Sequence, residues 1–139
     1  MNQNRLARTL ERHEGFRDKP YHCTAGKLTI GIGWNLDDSP MRYSEARFRL
    51  KNDLDECRWD LENLLQGQFD GLPDHVQGVL MNMRFQLGPG GFRTFKKFIA
   101  AIRGWDFVLA QKEGLDSKWA RSDTPERARE LMEVLRHGY

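Results

Sequence analysis

The sequence predicts an α+β fold, mostly α: a small antiparallel β lobe near the front, a long connecting helix and a helical C-terminal lobe. Two observations carry this. Apolar residues step by three and four along five separate stretches, the spacing of one buried helical face. A single stretch, 28–34, instead alternates apolar residues with threonine and glycine, the period of a strand. With 139 residues the chain has the length of one domain, and a cleft can still divide it into two lobes.

The elements follow in order. Leu6, Leu10 and His13 set a short helix from Asn4 to Glu14, with Gly15 as its C-cap. Tyr21 to Cys23, a turn at Ala25-Gly26, and Lys27 to Trp34 read as a hairpin whose second strand buries Leu28, Ile30, Ile32 and Trp34. Ser44 offers an N-cap to a long helix carrying Leu50, Leu54, Cys57, Leu61 and Leu64, which Gly67 ends. Cys57 belongs to that core stripe. Val76, Val79, Leu80 and Met83 mark a third helix that stops at Gly88-Pro89, and Phe95, Phe98, Ile99 and Ile102 a fourth ending near Gly104. A short helix follows from Asp106. Thr124-Pro125, a hydroxyl cap followed by proline at the first position, opens the last one, which stops at Gly138. The resulting division is a β lobe over 13–43, a connecting helix over 44–66, and a helical lobe over 67–139 that also takes in the N-terminal helix. Ligand sites favour the place where such lobes meet.

Composition excludes several classes. With 39% hydrophobic and 30% charged residues the chain resembles a soluble globular protein. It has no apolar run near the roughly 20 residues a membrane span needs, and its N-terminus lacks the layout of a signal peptide. Lys and Arg number 22 against 20 Asp and Glu, interspersed along every helix, so nucleic-acid binding is not expected. Cys23 and Cys57 sit in dissimilar settings, which argues against a disulfide. Without CxxC or HExxH there is no metal signal, and no cofactor is expected.

The stretch "HEGFRDKPYHCTAGKLTIGIGW" holds an acid, a thiol and a hydroxyl. A carboxyl group in a last helical turn, beside the negative end of the helix dipole, is suited to donating a proton. Glycosidic bond cleavage requires such a donor at the leaving oxygen while water or a nucleophile enters at the anomeric carbon. Thr29, on the strand face opposite Leu28 and Ile30, can hold that water where flanking glycines leave room. The plainer reading is a solvated glutamate, a strand threonine and a small apolar cysteine.

The spacing Glu14, eight residues, Cys23, five residues, Thr29, followed by Ile30-Gly31-Ile32-Gly33, closely resembles the motif of the T-even phage lysozyme family of muramidases. The resemblance continues through "LMNMRFQLG", with Asn82, Phe85 and Gln86, and through "GWDFVLAQKEGLDSKWARSDTPERARE", with Trp119 and Arg127. It implies a lysozyme-like two-lobed fold with Glu14 as general acid, Thr29 placing the attacking water, and Cys23 at a position that more often holds aspartate. It also implies that Tyr21, Phe85, Gln86 and Trp119 shape or support the cleft, and that Arg127 matches an arginine pairing with the catalytic glutamate. Ordinary aromatic packing explains Phe85 and Trp119 equally well, and Arg127 can instead pair with Glu126 or Glu130.

Two departures matter. Cys23, largely a neutral thiol at pH 7, either orients water for attack with inversion or attacks the sugar itself with retention. Trp34 stands where many relatives carry histidine, and either covers the small sheet or gives a sugar a stacking surface. The resemblance thus implies an endolysin that cuts peptidoglycan between N-acetylmuramic acid and N-acetylglucosamine. Such a protein is monomeric, waits in the host cytoplasm without inserting in the membrane, and depends on a holin-type protein to reach the wall. The alternative is a catalytically impaired module that keeps the fold to bind peptidoglycan or a protein partner.

Overall fold

The computed structural model describes all of Met1–Tyr139. The architecture is α+β and mostly helical, with one three-stranded antiparallel sheet. The chain forms two compact units, Met1–Phe48 and Arg49–Tyr139.

The first unit begins with α1 (Gln3–Glu14). Asn2 caps it by accepting from the Arg5 N–H, and Gly15, at φ 72°, ends it with an N–H bonded to the Glu11 carbonyl. No residue of α1 is buried; Leu6 and Leu10 stand exposed. β1 (Arg17–His22) pairs antiparallel with β2 (Leu28–Gly31), which pairs with β3 (Trp34–Asn35). The alternation over 28–34 therefore does not belong to one strand. Gly31 and Gly33 both take positive φ, 67° and 65°, and the chain folds back between them. The expected burial is also inverted. Thr29 is the one buried residue of β2, and Ile32 is exposed. A threonine tolerates that position because its hydroxyl finds a partner in the Lys27 carbonyl at 2.9 Å.

Helix α2 (Tyr43–Leu64) starts a residue before Ser44, which lies inside its first turn rather than capping it. The end is tied from within the helix: the Glu45 carboxylate accepts the Arg42 N–H at 2.8 Å. Gln66 and Gly67, both at positive φ, close the other end, with the Gly67 N–H reaching back to the Glu62 carbonyl.

The second unit holds the hydrophobic core. Helix α3 (Asp74–Arg93) supplies Val76, Val79, Leu80 and Met83, all essentially inaccessible. Its apolar stripe does halt at Gly88, whose φ of 74° is not helical, but Pro89 restarts a further turn that runs to Arg93. Around it lie α4 (Lys96–Arg103), α5 (Phe107–Leu115), capped by the Asp106 side chain on the Leu109 N–H, and α6 (Pro125–His137). Phe92, Phe95 and Phe98 meet edge to face at about 6.4 and 6.3 Å, and Phe95 meets Trp119 likewise. Each such edge-to-face pair adds about 1 kcal/mol to the burial of its rings. Cys57, 3% exposed, is core as its stripe predicts. No helix is long and apolar enough to cross a membrane.

Candidate functional site

In the first unit, the end of α1 and the hairpin carry the predicted residues. Glu14 is the last residue of α1, exposed, and within this unit its carboxylate has no cation or hydrogen-bond donor as partner. Its neighbour is backbone: a Cβ built on Gly33 would fall 2.8 Å from Glu14 Cδ and Oε2. The Gly-x-Gly punctuation is the sequence signal for this close approach of Gly33 to Glu14.

Register fixes the others. Tyr21 lies opposite Thr29, and His22 opposite Leu28. The ladder continues one step through the Cys23 N–H on the Lys27 carbonyl at 2.9 Å, with the turn closed by the Gly26 N–H on the Cys23 carbonyl. Side chains alternate along a strand, so Tyr21, Cys23 and Thr29 share a face that His22 does not. The Arg17 guanidinium covers the Tyr21 ring at 4.5 Å. Trp34 is half-buried, its indole N–H given to the Ser39 carbonyl at 2.7 Å.

Hydrogen bonds tune the thiol. The backbone N–H of Lys27, then that of Ala25, hold the Cys23 thiol below its ordinary range, against desolvation. Thr29 directs its hydroxyl proton to the Lys27 carbonyl. Its oxygen is then free to accept, so a water there can donate a hydrogen bond to it and keep its own lone pairs available.

In the second unit, Gln86 joins three elements. Its Nε2 donates to Thr124 Oγ1 and its Oε1 accepts the Trp119 indole N–H, both at 3.0 Å. The Thr124 hydroxyl thus accepts from Gln86 and makes no cap bond to α6, contrary to the expected capping role. Trp119 is 2% exposed, inside a π-helical turn, and so supports Gln86 from behind; Phe85, next along α3, is 44% exposed. Arg127 forks onto Asn82, with Nε and Nη2 donating to Oδ1 at 3.0 and 2.5 Å, and pairs with neither Glu126 nor Glu130. A cavity of about 530 Å³ opens beside this junction, lined by Leu87, Phe95, Trp119, Lys118, Glu113 and Asp116. It has the volume of a small-ligand site but holds none of Glu14, Cys23 and Thr29.

The first unit therefore offers an exposed carboxyl group without fixed partners, a thiol of raised acidity, and a hydroxyl whose oxygen is free to accept. A family model described as phage lysozyme matches residues 11–132. The chain is also 27% identical, over 157 aligned positions, to the pre-baseplate central spike protein Gp5 of Enterobacteria phage T4. That alignment takes in 94% of this chain and 27% of the length of that relative. With the match running from α1 into α6, the chain belongs to the phage lysozyme family.

Proposed function

We propose that this chain is a muramidase that hydrolyses the β-1,4 bond between N-acetylmuramic acid and N-acetylglucosamine in bacterial peptidoglycan. The observation that carries the reading is the hairpin face shared by Tyr21, Cys23 and Thr29, in the motif that begins at Glu14. Glu14 protonates the leaving glycosidic oxygen as positive charge builds on the sugar ring. Water enters at the anomeric carbon on the face opposite the leaving group: one of its hydrogens is hydrogen-bonded to Thr29 Oγ1 and stays on the new hydroxyl, the other passes as a proton to the Cys23 thiolate, and the configuration is inverted. Tyr21, Phe85 and Gln86 contact or shape the glycan, Trp119 backs Gln86, and Arg127 contributes the positive charge that the family resemblance assigns to it.

Release of soluble muropeptides from purified peptidoglycan, with mass spectrometry of the reduced ends, tests this. Wild type should yield ends in reducible N-acetylmuramic acid, and Glu14→Gln should not. Binding of both proteins without cleavage by either would instead support an impaired, wall-binding module. An α-anomeric first product supports inversion, and a β-anomer would mean attack by the Cys23 sulfur.

The biological setting has two readings. As an endolysin, the protein acts from the host cytoplasm as a monomer, with a holin-type protein giving access to the wall. The relative named as a central spike protein favours a second, in which the domain opens the wall as part of a phage particle. Detection of the chain in purified virions separates them.

A further inference from the structure

The second unit contains a charged cluster that the proposed chemistry does not use. Asp60, on α2, is 7% exposed, and two arginines of α3 converge on it. Arg84 Nε donates to Oδ2 at 2.6 Å; Arg93 donates through Nη2 to Oδ1 at 2.5 Å and through Nη1 to Oδ2 at 3.0 Å. The two arginines lie on opposite sides of the break at Gly88, and Arg93 Nη1 also bonds the Pro89 carbonyl at 3.1 Å. One carboxylate thus fastens both segments of a broken helix.

A Gly-Pro break needs such a tie. Pro89 has no N–H to give back across it, and Gly88 is the most permissive residue for a change of angle. Arg84 and Gln86 are two positions apart, about 200° around the helix, and so face nearly opposite ways. Rotation of this turn that loosened Arg84 from Asp60 would swing Gln86 away from Thr124 and Trp119. Stability alone is a poor reason to bury the Arg84 guanidinium with the Asp60 carboxylate, since apolar residues of similar volume often serve as well or better.

We propose that Asp60 is a positioning residue: by holding Arg84 and Arg93 across the α3 break, it fixes the orientation of Gln86 in its junction with Trp119 and Thr124. The consequence for glycan binding rests on the muramidase reading; the consequence for the junction does not. Hydrogen exchange of the Trp119 indole N–H, assigned among the four tryptophans by loss of its signal in Trp119→Phe, reads the junction directly. Asp60→Asn should speed that exchange about tenfold relative to core amides of the same unit. With soluble glycan oligomers it should raise KM severalfold and change kcat less. Ile102→Val, which thins the same core away from the cluster, should lower the melting temperature without singling out Trp119. Arg93→Gln, which leaves the Asp60–Arg84 pair in place, should give a smaller effect in the same direction and serves if Asp60→Asn does not fold. An unchanged Trp119 signal in a folded Asp60→Asn or Arg93→Gln variant that melts no higher than Ile102→Val overturns the proposal. Wild type that cuts no glycan while Asp60→Asn frees the indole N–H overturns the muramidase reading alone.

Discussion

Gly33 backs directly onto Glu14, with so little room that a Cβ there would lie 2.8 Å from the carboxyl carbon. Glycine is required twice over, because φ at this position is also +65°. Gly33→Ala should therefore cost about 1–2 kcal/mol in backbone strain and push the Glu14 side chain aside. Displacing a reacting group by about 1 Å costs on the order of 100-fold in rate, which is the loss of muropeptide release expected. Gly31→Ala separates the two effects: its φ is +67°, yet nothing lies within 4 Å of its Cβ position. It should melt like Gly33→Ala and keep most of its activity. Equal activity losses in the two variants would show that strain, not contact with Glu14, is responsible.

The Cys23 thiol gives the reaction a pH limb. Its pKa is lowered, first by the Lys27 N–H and then by that of Ala25, so the thiolate is populated at lower pH than in an ordinary cysteine. The native state is favoured above the unfolded thiol's pKa, and that preference fades as pH falls through the lower folded value. If the thiolate accepts the proton of the attacking water, muropeptide release should fall over the same window. Cys23→Asp should move the limb acid by several pH units, and Cys23→Ala should abolish it with a loss of about 100-fold or more. Alkylation of Cys23, verified by mass, should mimic Cys23→Ala; full activity after complete alkylation would remove the thiol from the mechanism.

Helices were legible in the sequence because burial of one face leaves a period: Val76, Val79, Leu80 and Met83 announce α3, and Ala128, Leu131, Met132 and Leu135 announce α6. The hairpin was half legible. Alternation runs unbroken from Leu28 to Trp34, and only the positive φ of Gly31 and Gly33 turns one strand into two. Polar side chains were the least legible, since their partners are chosen across space. Ser44 and Thr124 looked like caps; Glu45 ties down the start of α2, and Thr124 accepts from Gln86. Nothing in the sequence singles out Asp60, because its two arginines lie 24 and 33 residues away along the chain.

Arg127 depends on Asn82 for its direction. Both donating nitrogens use the single oxygen Oδ1, so Asn82→Ala leaves the guanidinium unanchored. A lost hydrogen bond to a charged group costs about 1.5–3 kcal/mol, and the exposed setting of this one puts it at the lower end. Asn82→Ala should also lower muropeptide release severalfold, whereas Asn82→Asp, which keeps an acceptor and adds charge, should retain the fork and the folded-state stability. Denaturant melts alongside the release assay check both. Equal losses in the two variants would mean that the neutral amide itself, and not its accepting oxygen, matters.

Asp60 should leave its mark on acid stability. Its carboxyl is held below the ordinary carboxylate range by hydrogen bonds from Arg93 first and Arg84 next, against desolvation. The stability this provides is complete above the unfolded pKa of about 3.9 and is lost as pH falls through the lower folded value. Many other carboxylates titrate in the same range, so the informative quantity is the difference between wild type and Asp60→Asn at each pH. At pH 7 that difference should be about 3 kcal/mol, the lower end for breaking a buried ion cluster, because the Arg93 side chain is 42% exposed and solvent screens it. Below pH 4 the difference should shrink, since wild type then begins to carry a neutral acid where the variant carries an amide. Urea melts at pH 7, 4 and 3 measure it. A difference that stays constant down to pH 3 would mean that Asp60 matters by shape and hydrogen-bond count rather than by charge, and the arginines would then be solvated well enough to stand without it.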